Sequence, residues 1–416
     1  MNKHYGWAGT ILKIDLTEGR IQRETLSKDL AYSYLGQRGI NGKLLYDTIP
    51  PGTDAFHPNN PVIFGVGPLG GTLAPCSGRF TVTSKSPLTG IFGDANSGGH
   101  WGPELKQAGY DHIFITGQSS RPVYLWIDDD KVELRDASHI WGKTTWETEA
   151  AIQGELGSDK IQVLSIGPGG ENLVRFAAII ANQARAAART GIGAVMGSKN
   201  LKAVAVRGSR GVGVADPTAF AEAVAECEEA ILHDPLYKYS SNIGTPILTG
   251  MVQGLGALPT RNFQASTFEK ADNLSADLLY KNYVSGRRGC YNCPVGCSRF
   301  YHVKKGTYAG TVGEGPEYET IAAFGTKCGN SNLASILKAN TLADQLGLDT
   351  ISTGAVIGWA LECAEKGILQ GLDITWGDHQ GIVSLIEKIA YRQGIGNLLA
   401  EGTLKAAETL GSEAVD

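Results

Sequence analysis

The sequence predicts an α+β protein in which a β-rich N-terminal half is followed by a mainly helical second half. Residues 1–210 contain short runs that alternate apolar and polar residues between glycine-rich turns, as half-buried strands do. Beyond residue 211, apolar residues recur at spacings of three and four, which indicates amphipathic helices. We therefore expect a domain of residues 1–210 and a second of residues 211–416, with a boundary near 208–216.

The first half begins with a predicted β-hairpin. "GTILKIDLTEGRIQRETL" has two alternating runs joined by a T-E-G turn. Five further segments are strand-like, and they read NPVIFGVGPLGG, GRFTVTSKSP, HIFITGQ, PVYLWIDDDKVELRDA and KAVAVRG. Helices are expected over "ETEAAIQGELG" and in parts of 175–190.

The second half opens with a helix that has Asp216 as its expected N-cap and Pro217 at its first position. Four later segments have the same apolar period, and they read SNLASILKANTLADQLG, TISTGAVIGWALECAEKG, HQGIVSLIEKIAYRQG and IGNLLAEGTLKAAETLG.

Composition excludes several classes of protein. A net charge of −5 over 416 residues argues against nucleic acid as a main partner. The sequence has no apolar run of membrane-spanning length and no signal-peptide pattern. Seven cysteines, an odd number, do not form a secreted disulfide framework. We expect a cytoplasmic protein whose cysteines bind metal or lie in the core.

The clearest candidate for a metal site is "CYNCPVGC", which places Cys290, Cys293 and Cys297 in a C-x2-C-x3-C run. Thiolates at this spacing suit an iron–sulfur cluster or a structural zinc ion, and either site usually needs a fourth ligand. Core cysteines with no metal are the third alternative. The neighbouring Arg287 and Arg288 would offset the charge of a cluster, or are an ordinary solvated pair.

Several glycine-rich segments could approach a bulky ligand, since the sequence contains 55 glycines. Residues 76–90 and 94–111 are polar, glycine-dense loops, and the second leads into a helix with Pro103 and Glu104 in its first turn. Such a loop suits phosphate binding, or it is a tight turn at a sheet corner. No dinucleotide-binding fingerprint is present.

Charged groups near other glycines are further candidates. We predict that Arg185 and Arg189 share one helix face at i, i+4, where they would suit a pyrophosphate or form a plain surface pair. Glu314, Glu317 and Glu319 in "GEGPEYET" could include a general base or a helix cap.

The segment "DQLGLD" joins two predicted helices. Gly347 is the expected C-cap of the first helix and Asp349 the N-cap of the second. These roles do not prevent Asp344 and Asp349 from also holding a ligand.

Together and in this order, these segments resemble the aldehyde:ferredoxin oxidoreductase family of tungsten enzymes. The segments that carry the resemblance are GPLGGTLAPCSGRFTVTSKSPLTG, NSGGHWGPELKQAGYD, RDASHIWGK, SIGPGGENLVRFAAI, GIGAVMGSKNLKAVAV, CYNCPVGC, EGPEYET and LADQLGLDTISTG. Membership implies a β base that carries tungsten, or sometimes molybdenum, on two pyranopterins whose phosphates Mg²⁺ bridges. It also implies a [4Fe-4S] cluster that passes electrons to ferredoxin or an electron-transfer subunit, and oxidation of a small aldehyde to a carboxylic acid.

The resemblance also assigns roles to single residues. Arg79 matches an arginine between cluster and pterin, and Glu319 matches a glutamate beside the tungsten that assists proton movement. Three cysteines match cluster ligands, namely Cys290, Cys293 and Cys297. Residues that match pterin-contacting positions are Asn96, Gly98, Arg185, Ala186, Ala188, Asp344, Leu348 and Asp349.

The resemblance is incomplete. In the family a third domain supplies a second D-x-x-G-L-C motif with the fourth cluster cysteine, and we expect that domain to be missing here or to lie on another chain. Cys328 and Cys363 fall in helical segments, so we expect them in the core. Lys338 and Val383 occupy positions where some members bind a metal at a dimer axis, so that dimer is not expected.

Two alternatives to an aldehyde oxidoreductase stay open. One is a subunit that carries the cluster for electron transfer, or as a scaffold, without tungsten catalysis. The other is an aromatic thioester reductase of the benzoyl-CoA branch. That branch lacks a "GPEYE" like residues 315–319, which favours the aldehyde branch.

Overall fold

The structure, a computed structural model, describes residues 5–415. The chain forms two compact units. Unit 1 extends to His233 and includes Gly289–Pro294 from later in the chain, whereas unit 2 comprises Asp234–Arg288 and the chain from Val295 onward. The large sheets lie in unit 1 and most of the long helices in unit 2, which confirms the α+β prediction.

Unit 1 is built on two six-stranded sheets, ordered β2-β1-β6-β3-β4-β5 and β11-β10-β9-β12-β7-β8. The predicted first hairpin is present, with β1 and β2 antiparallel, and β1 also pairs in parallel with β6. The strands are β1 Thr10–Asp15, β2 Arg20–Thr25, β3 Val62–Val66, β4 Phe80–Lys85, β5 Phe92–Ser97, β6 His112–Thr116, β7 Val123–Asp128, β8 Lys131–Asp136, β9 Gln162–Ser165, β10 Ile179–Ala181, β11 Arg185–Ala187 and β12 Leu201–Arg207.

Helices cover the sheets of unit 1, and local sequence fixes several of their ends. Thr144 and Glu147 form a reciprocal capping box at the start of α4. Asp216 caps α7 as predicted, because its carboxylate accepts hydrogen bonds from two backbone N–H groups of the first turn. The helices are α1 Lys28–Tyr34, α2 Gln37–Thr48, α3 Trp101–Gln107, α4 Thr145–Leu156, α5 Pro168–Glu171, α6 Ile192–Ser198 and α7 Pro217–His233, with a 3-10 turn at Arg189–Gly191.

One apolar core of unit 1 combines side chains of both sheets. Successive side chains of a strand point to opposite faces of the sheet, so one set from each strand enters this core. Phe64 and Phe80 enter it from the first sheet and Leu125 from the second. Trp101 of α3 lies fully buried among them and donates its indole N–H to the carbonyl of Val204 at 3.1 Å. This packing fixes α3, and with it the glycine-rich turn that precedes α3.

Unit 2 is mainly helical and contains one small antiparallel sheet, ordered β13-β14-β15. Its strands are β13 Val284–Arg288, β14 Ser298–His302 and β15 Val312–Glu314. Its helices are α8 Tyr237–Asn242, α9 Leu248–Gly254, α10 Ala276–Asn282, α11 Tyr318–Phe324, α12 Leu333–Leu346, α13 Thr350–Glu365, α14 His379–Ala390, α15 Ile395–Leu399, α16 Thr403–Leu410 and α17 Ser412–Val415, with 3-10 turns at Thr245–Ile247, Ala271–Leu274 and Thr326–Cys328.

The prediction of a helix within residues 175–190 was wrong. β10 and β11 form an antiparallel hairpin there, and Asn182 and Gln183 reverse the chain with φ of 52° and 69°. Pairing of β10 with β9 overrides the local helix preference of the alanine-rich run. Arg185 therefore lies in a strand and Arg189 in a 3-10 turn, so they do not share a helix face.

The last predicted helix divides into α15 and α16. Gly402 separates them with a φ of 82°, a left-handed conformation that a continuing helix cannot contain. No helix within residues 5–415 has the length and apolar character needed to cross a bilayer.

Candidate functional site

The first part of the candidate site lies at the edge of the first sheet in unit 1. Antiparallel pairing of β4 and β5 sets Phe80 opposite Ser97, which brings Arg79 beside Gly98. Arg79 and Asn96 are exposed, and the Asn96 amide donates to the carbonyl of Phe80 at 3.2 Å. Two residues that the resemblance assigns to the pterin thus lie next to the arginine that it assigns to the cluster.

The β10–β11 hairpin brings a second predicted group to the same edge. A Cβ placed at Gly99 would lie 3.0 Å from Cγ of Arg185, and Gly99 has a φ of +102°. The side chain of Asn182 accepts a hydrogen bond from the N–H of His100 at 3.4 Å. Arg185 and its neighbours Ala186 and Ala188 are half-buried. The loop at Gly99 and the side chain of Arg185, almost ninety positions apart in the sequence, therefore lie side by side.

The segment Gly289–Pro294 is held against these loops within unit 1. The N–H of Tyr291 donates to the carbonyl of Gly99 at 3.1 Å, and its hydroxyl donates to the carbonyl of Gly71 at 3.2 Å. Asn292 has a φ of 46° and donates its amide N–H to the carbonyl of Ala74 at 3.1 Å. The backbone that carries Cys290 and Cys293 is fixed by these bonds.

Glycine at position 98 is required by the approach of a cysteine. A Cβ there would lie 2.6 Å from Sγ of Cys290 and 3.8 Å from Nη1 of Arg79. Among the described residues of unit 1, no ion pair engages Arg79. A guanidinium beside cysteine sulfurs would offset the negative charge of a thiolate-bound cluster. These residues fit a thiolate-bound cluster.

We name this group the cysteine–arginine site; it consists of Cys76, Arg79, Gly98, Cys290 and Cys293. Within residues 5–415, no three His, Cys, Asp or Glu side chains are grouped as a single metal ion would require. An iron–sulfur cluster does not require that arrangement, because its thiolates bind different iron atoms.

Cys76 is the member that the sequence analysis missed. Its Sγ lies 3.5 Å from Sγ of Cys293, and the two residues are separated by 217 positions in the chain. The available signal was its place three residues before Arg79, the arginine that the resemblance assigned to the cluster.

Cys297 belongs to unit 2, where it is exposed. Of the two neighbouring arginines, Arg287 donates to the hydroxyl of Ser241, and Arg288 lies 3.4 Å from the carboxylate of Glu314. Both arginines thus have polar partners within unit 2.

The glutamates of residues 313–320 lie around the start of α11. Glu317 occupies the N-cap position without a side-chain capping bond, and its carboxylate instead accepts from the hydroxyl of Thr245. Glu319 is exposed in the first turn. Its carboxylate is therefore accessible from solvent.

The helix ends around "DQLGLD" are as predicted. Gly347 ends α12 with a φ of 71°, and Asp349 caps α13 by accepting from the N–H groups of Ile351 at 3.1 Å and Ser352 at 3.2 Å. Asp344, in the last turn of α12, and Leu348, between the two helices, are both buried. The carboxylates of Asp344 and Asp349 thus lie at helix ends.

The two remaining cysteines of unit 2 are core residues, as expected. Cys328 and Cys363 are buried. Burial raises the pKa of the Cys328 thiol to about 12, so it remains protonated at neutral pH and is a poor metal ligand.

Comparison with known proteins identifies both halves of the chain. Residues 11–208 match the family model described as aldehyde ferredoxin oxidoreductase, N-terminal domain. Residues 222–416 match the model described as aldehyde ferredoxin oxidoreductase, domains 2 and 3.

Individual relatives agree with these matches. The chain is 46% identical to the tungsten-containing aldehyde ferredoxin oxidoreductase of Thermococcus kodakarensis and 44% identical to that of Pyrococcus furiosus, covering 98% of this chain and 68% of each relative. It is 32% identical to an aliphatic sulfonate oxidoreductase WOR-like subunit of Pyrococcus furiosus, covering 97% of this chain and 67% of that one. The BamBC active-site complex of benzoyl coenzyme A reductase superposes with a TM-score of 0.89 at 34% identity, covering all of this chain and 65% of that one. The chain thus spans about two thirds of the length of its relatives.

Proposed function

Since this chain belongs to the aldehyde ferredoxin oxidoreductase family of oxidoreductases, we propose that it oxidises a small aldehyde to a carboxylic acid and passes the electrons to ferredoxin. The proposed cofactors are tungsten, or molybdenum, on two pyranopterins with a bridging Mg²⁺, and a [4Fe-4S] cluster. A reducing, anaerobic cytoplasm suits such cofactors. The curated relatives that carry this activity in their names are 43–46% identical.

The observation that carries the proposal is the cysteine–arginine site. Cys290 and Arg79 lie together against Gly98, although they are about two hundred positions apart in the chain. A cationic group beside thiolates and open backbone suits both a negatively charged cluster and a phosphate-bearing cofactor.

Each residue has a proposed task. Cys290, Cys293 and Cys297 would bind the cluster. Arg79 would hold its guanidinium between cluster and pterin and balance their charge. The bound tungsten would supply two-electron oxidation with oxygen derived from water. Glu319 would accept the proton released from the substrate side, since its carboxylate is exposed.

The remaining predicted residues would hold the pterins. Asn96, with the backbone at Gly98, would contact one edge, and Arg185 with the small side chains of Ala186 and Ala188 would contact phosphate and ring surfaces. In unit 2, Asp344, Leu348 and Asp349 would present carboxylates and backbone to the polar edge of a pterin.

One observation favours a second candidate. The benzoyl coenzyme A reductase complex is 34% identical over the whole chain, so an aromatic thioester is the alternative substrate class. The higher identity to aldehyde oxidoreductases favours aldehydes as the first substrates to test.

The direct test is anaerobic expression with tungstate, followed by metal analysis and assay. We expect about four irons per chain, bound tungsten with pterin, and reduction of a viologen dye that depends on an aldehyde. Dye reduction with a dienoyl thioester but with no aldehyde would favour the alternative substrate class. Iron without tungsten would favour an electron-transfer subunit, and a protein lacking both would contradict the cofactor assignments.

A matched pair of cysteine variants shows whether the iron occupies the proposed site. Cys293→Ala should lose most of its iron, whereas Cys227→Ala should retain it, because Cys227 lies exposed on α7 and is not a proposed ligand. Equal iron in both variants would refute the ligand assignment.

A further inference from the structure

Cys76 lies on a loop that is bound to the cysteine segment. Its N–H donates to the carbonyl of Asn292 at 2.8 Å, and the Asn292 amide donates back to the carbonyl of Ala74 at 3.1 Å. Cys76 and Asn292 both adopt left-handed backbone conformations, with φ of 59° and 46°. A left-handed cysteine is uncommon and costs free energy, so the surrounding contacts must hold it there. The separation of Cys76 and Cys293 is thus set by hydrogen bonds between the two loops.

The contact between the two sulfurs has the geometry of a hydrogen bond. Sγ of Cys76 lies 3.5 Å from Sγ of Cys293 with Cys76 as the donor. Cys76 lies outside the C-x2-C-x3-C run that supplies the predicted ligands. Its sulfur is close enough to Cys293 for a thiol to donate a hydrogen bond to a ligand sulfur.

Cys293 belongs to the predicted ligand run, and a cysteine binds iron as its thiolate. Cys76 is exposed and lies beside that ligand. Hydrogen bonds to the sulfurs of an iron–sulfur cluster are one of the factors that set its reduction potential. The reduced cluster carries one more negative charge, so a donor to its sulfur stabilises the reduced state more than the oxidised state.

We infer that the Cys76 thiol donates an S–H···S hydrogen bond to the Cys293 thiolate and thereby raises the reduction potential of the cluster. The inference rests on the proposed cluster and adds a positioning residue that is not one of its ligands. Cys76 would make the cluster an easier acceptor for electrons that leave the tungsten site.

The test is a redox titration of the anaerobically purified chain, followed by electron paramagnetic resonance, with iron content measured on the same samples. Cys76→Ala should keep its iron. At a fixed ambient potential its ratio of reduced to oxidised cluster should fall about three- to tenfold, the range expected for one lost hydrogen bond. Cys76→Ser retains a donor and should recover most of that ratio. Cys227→Ala is the matched control and should not change it.

The outcomes separate this inference from the proposed function. Full iron content and an unchanged ratio in Cys76→Ala would overturn the hydrogen bond while leaving the cluster intact. Loss of iron in both Cys76 variants would show that Cys76 is itself a ligand, which also overturns the inference. Absence of iron from the unmodified chain would refute the proposed cluster and the inference together.

Discussion

The polar groups buried beside the first sheet and those of the cysteine–arginine site belong to the same unit but are held in opposite ways. Lys106 and Asp111 have no exposed side-chain surface, and each has hydrogen bonds from the protein in addition to their ion pair. Cys76 and Arg79 are exposed, and the backbone around Cys76 is fixed by a hydrogen bond to the cysteine segment. The buried groups therefore contribute to stability, whereas the exposed site retains side-chain atoms that can bind a ligand.

The largest effect on stability should come from breaking the buried ion pair. Burial lowers the pKa of Lys106, and its contact with Asp111 opposes that shift. Lys106→Met would leave the Asp111 carboxylate buried without its cation and should lower the free energy of unfolding by about 3–5 kcal/mol. Urea unfolding at neutral pH measures this difference.

An exposed lysine is the control for that change. Lys43 pairs with Asp47 on the surface of α2, and Lys43→Met should leave the free energy of unfolding nearly unchanged. Equal losses in the two variants would mean that burial does not distinguish the two pairs. The double variant Lys106→Met with Asp111→Asn should be more stable than Lys106→Met alone, since it removes the unpaired charge.

A second buried group should make stability depend on pH. Burial lowers the pKa of His112 to about 4, and Nδ1 contacts the amide oxygen of Asn41 at 2.7 Å while Nε2 has no hydrogen bond within the described chain. The unfolded chain binds a proton near the ordinary pKa of about 6.5, so stability is full above that pH and falls as pH decreases toward 4. The loss from this group between pH 7 and pH 5 should be about 2 kcal/mol.

Two histidine variants test that dependence. The difference in unfolding free energy between pH 7 and pH 5 should shrink by about 2 kcal/mol in His112→Gln. It should not shrink in His139→Gln, because His139 is exposed. The same pH dependence in His112→Gln as in the unmodified chain would show that His112 is not the group responsible.

The elements that could be predicted from the sequence are those that neighbouring residues determine. The first hairpin and the α7 cap follow from neighbouring residues, and both were predicted. The hairpin at 179–187 depends on pairing with β9, a partner from an earlier part of the chain, and local helix preference gave the wrong element.

The candidate site shows the same limit. Resemblance located Arg79, Cys290 and Cys293 one by one. The contact between Cys76 and Cys293 joins residues 217 positions apart, and no local pattern contains it. Such a pair becomes visible only when the fold brings the two loops together, because each loop separately has an ordinary turn-forming sequence.

Gly98→Ala should have only a small effect on the free energy of unfolding but a large effect on the amount of bound iron. A methyl group at Gly98 would meet Sγ of Cys290 at 2.6 Å, and the end of a cysteine side chain can rotate away at a cost of less than about 1 kcal/mol. That rotation would move the sulfur from the place where the proposed cluster requires it. Gly98→Ala should therefore unfold nearly like the unmodified chain but bind less than half of its iron.

Gly154→Ala is the matched control because a Cβ at Gly154, within α4, would meet no atom within 4 Å. Alanine in a helix interior should raise the free energy of unfolding by about 0.5–1 kcal/mol and leave iron unchanged. If Gly98→Ala lowered the free energy of unfolding by several kcal/mol, the cysteine–arginine site would be part of the stabilising core. If Gly98→Ala kept all its iron, iron binding would not require glycine at position 98 beside Cys290. Small stability loss with large iron loss is the result that separates the cysteine–arginine site from the buried interior.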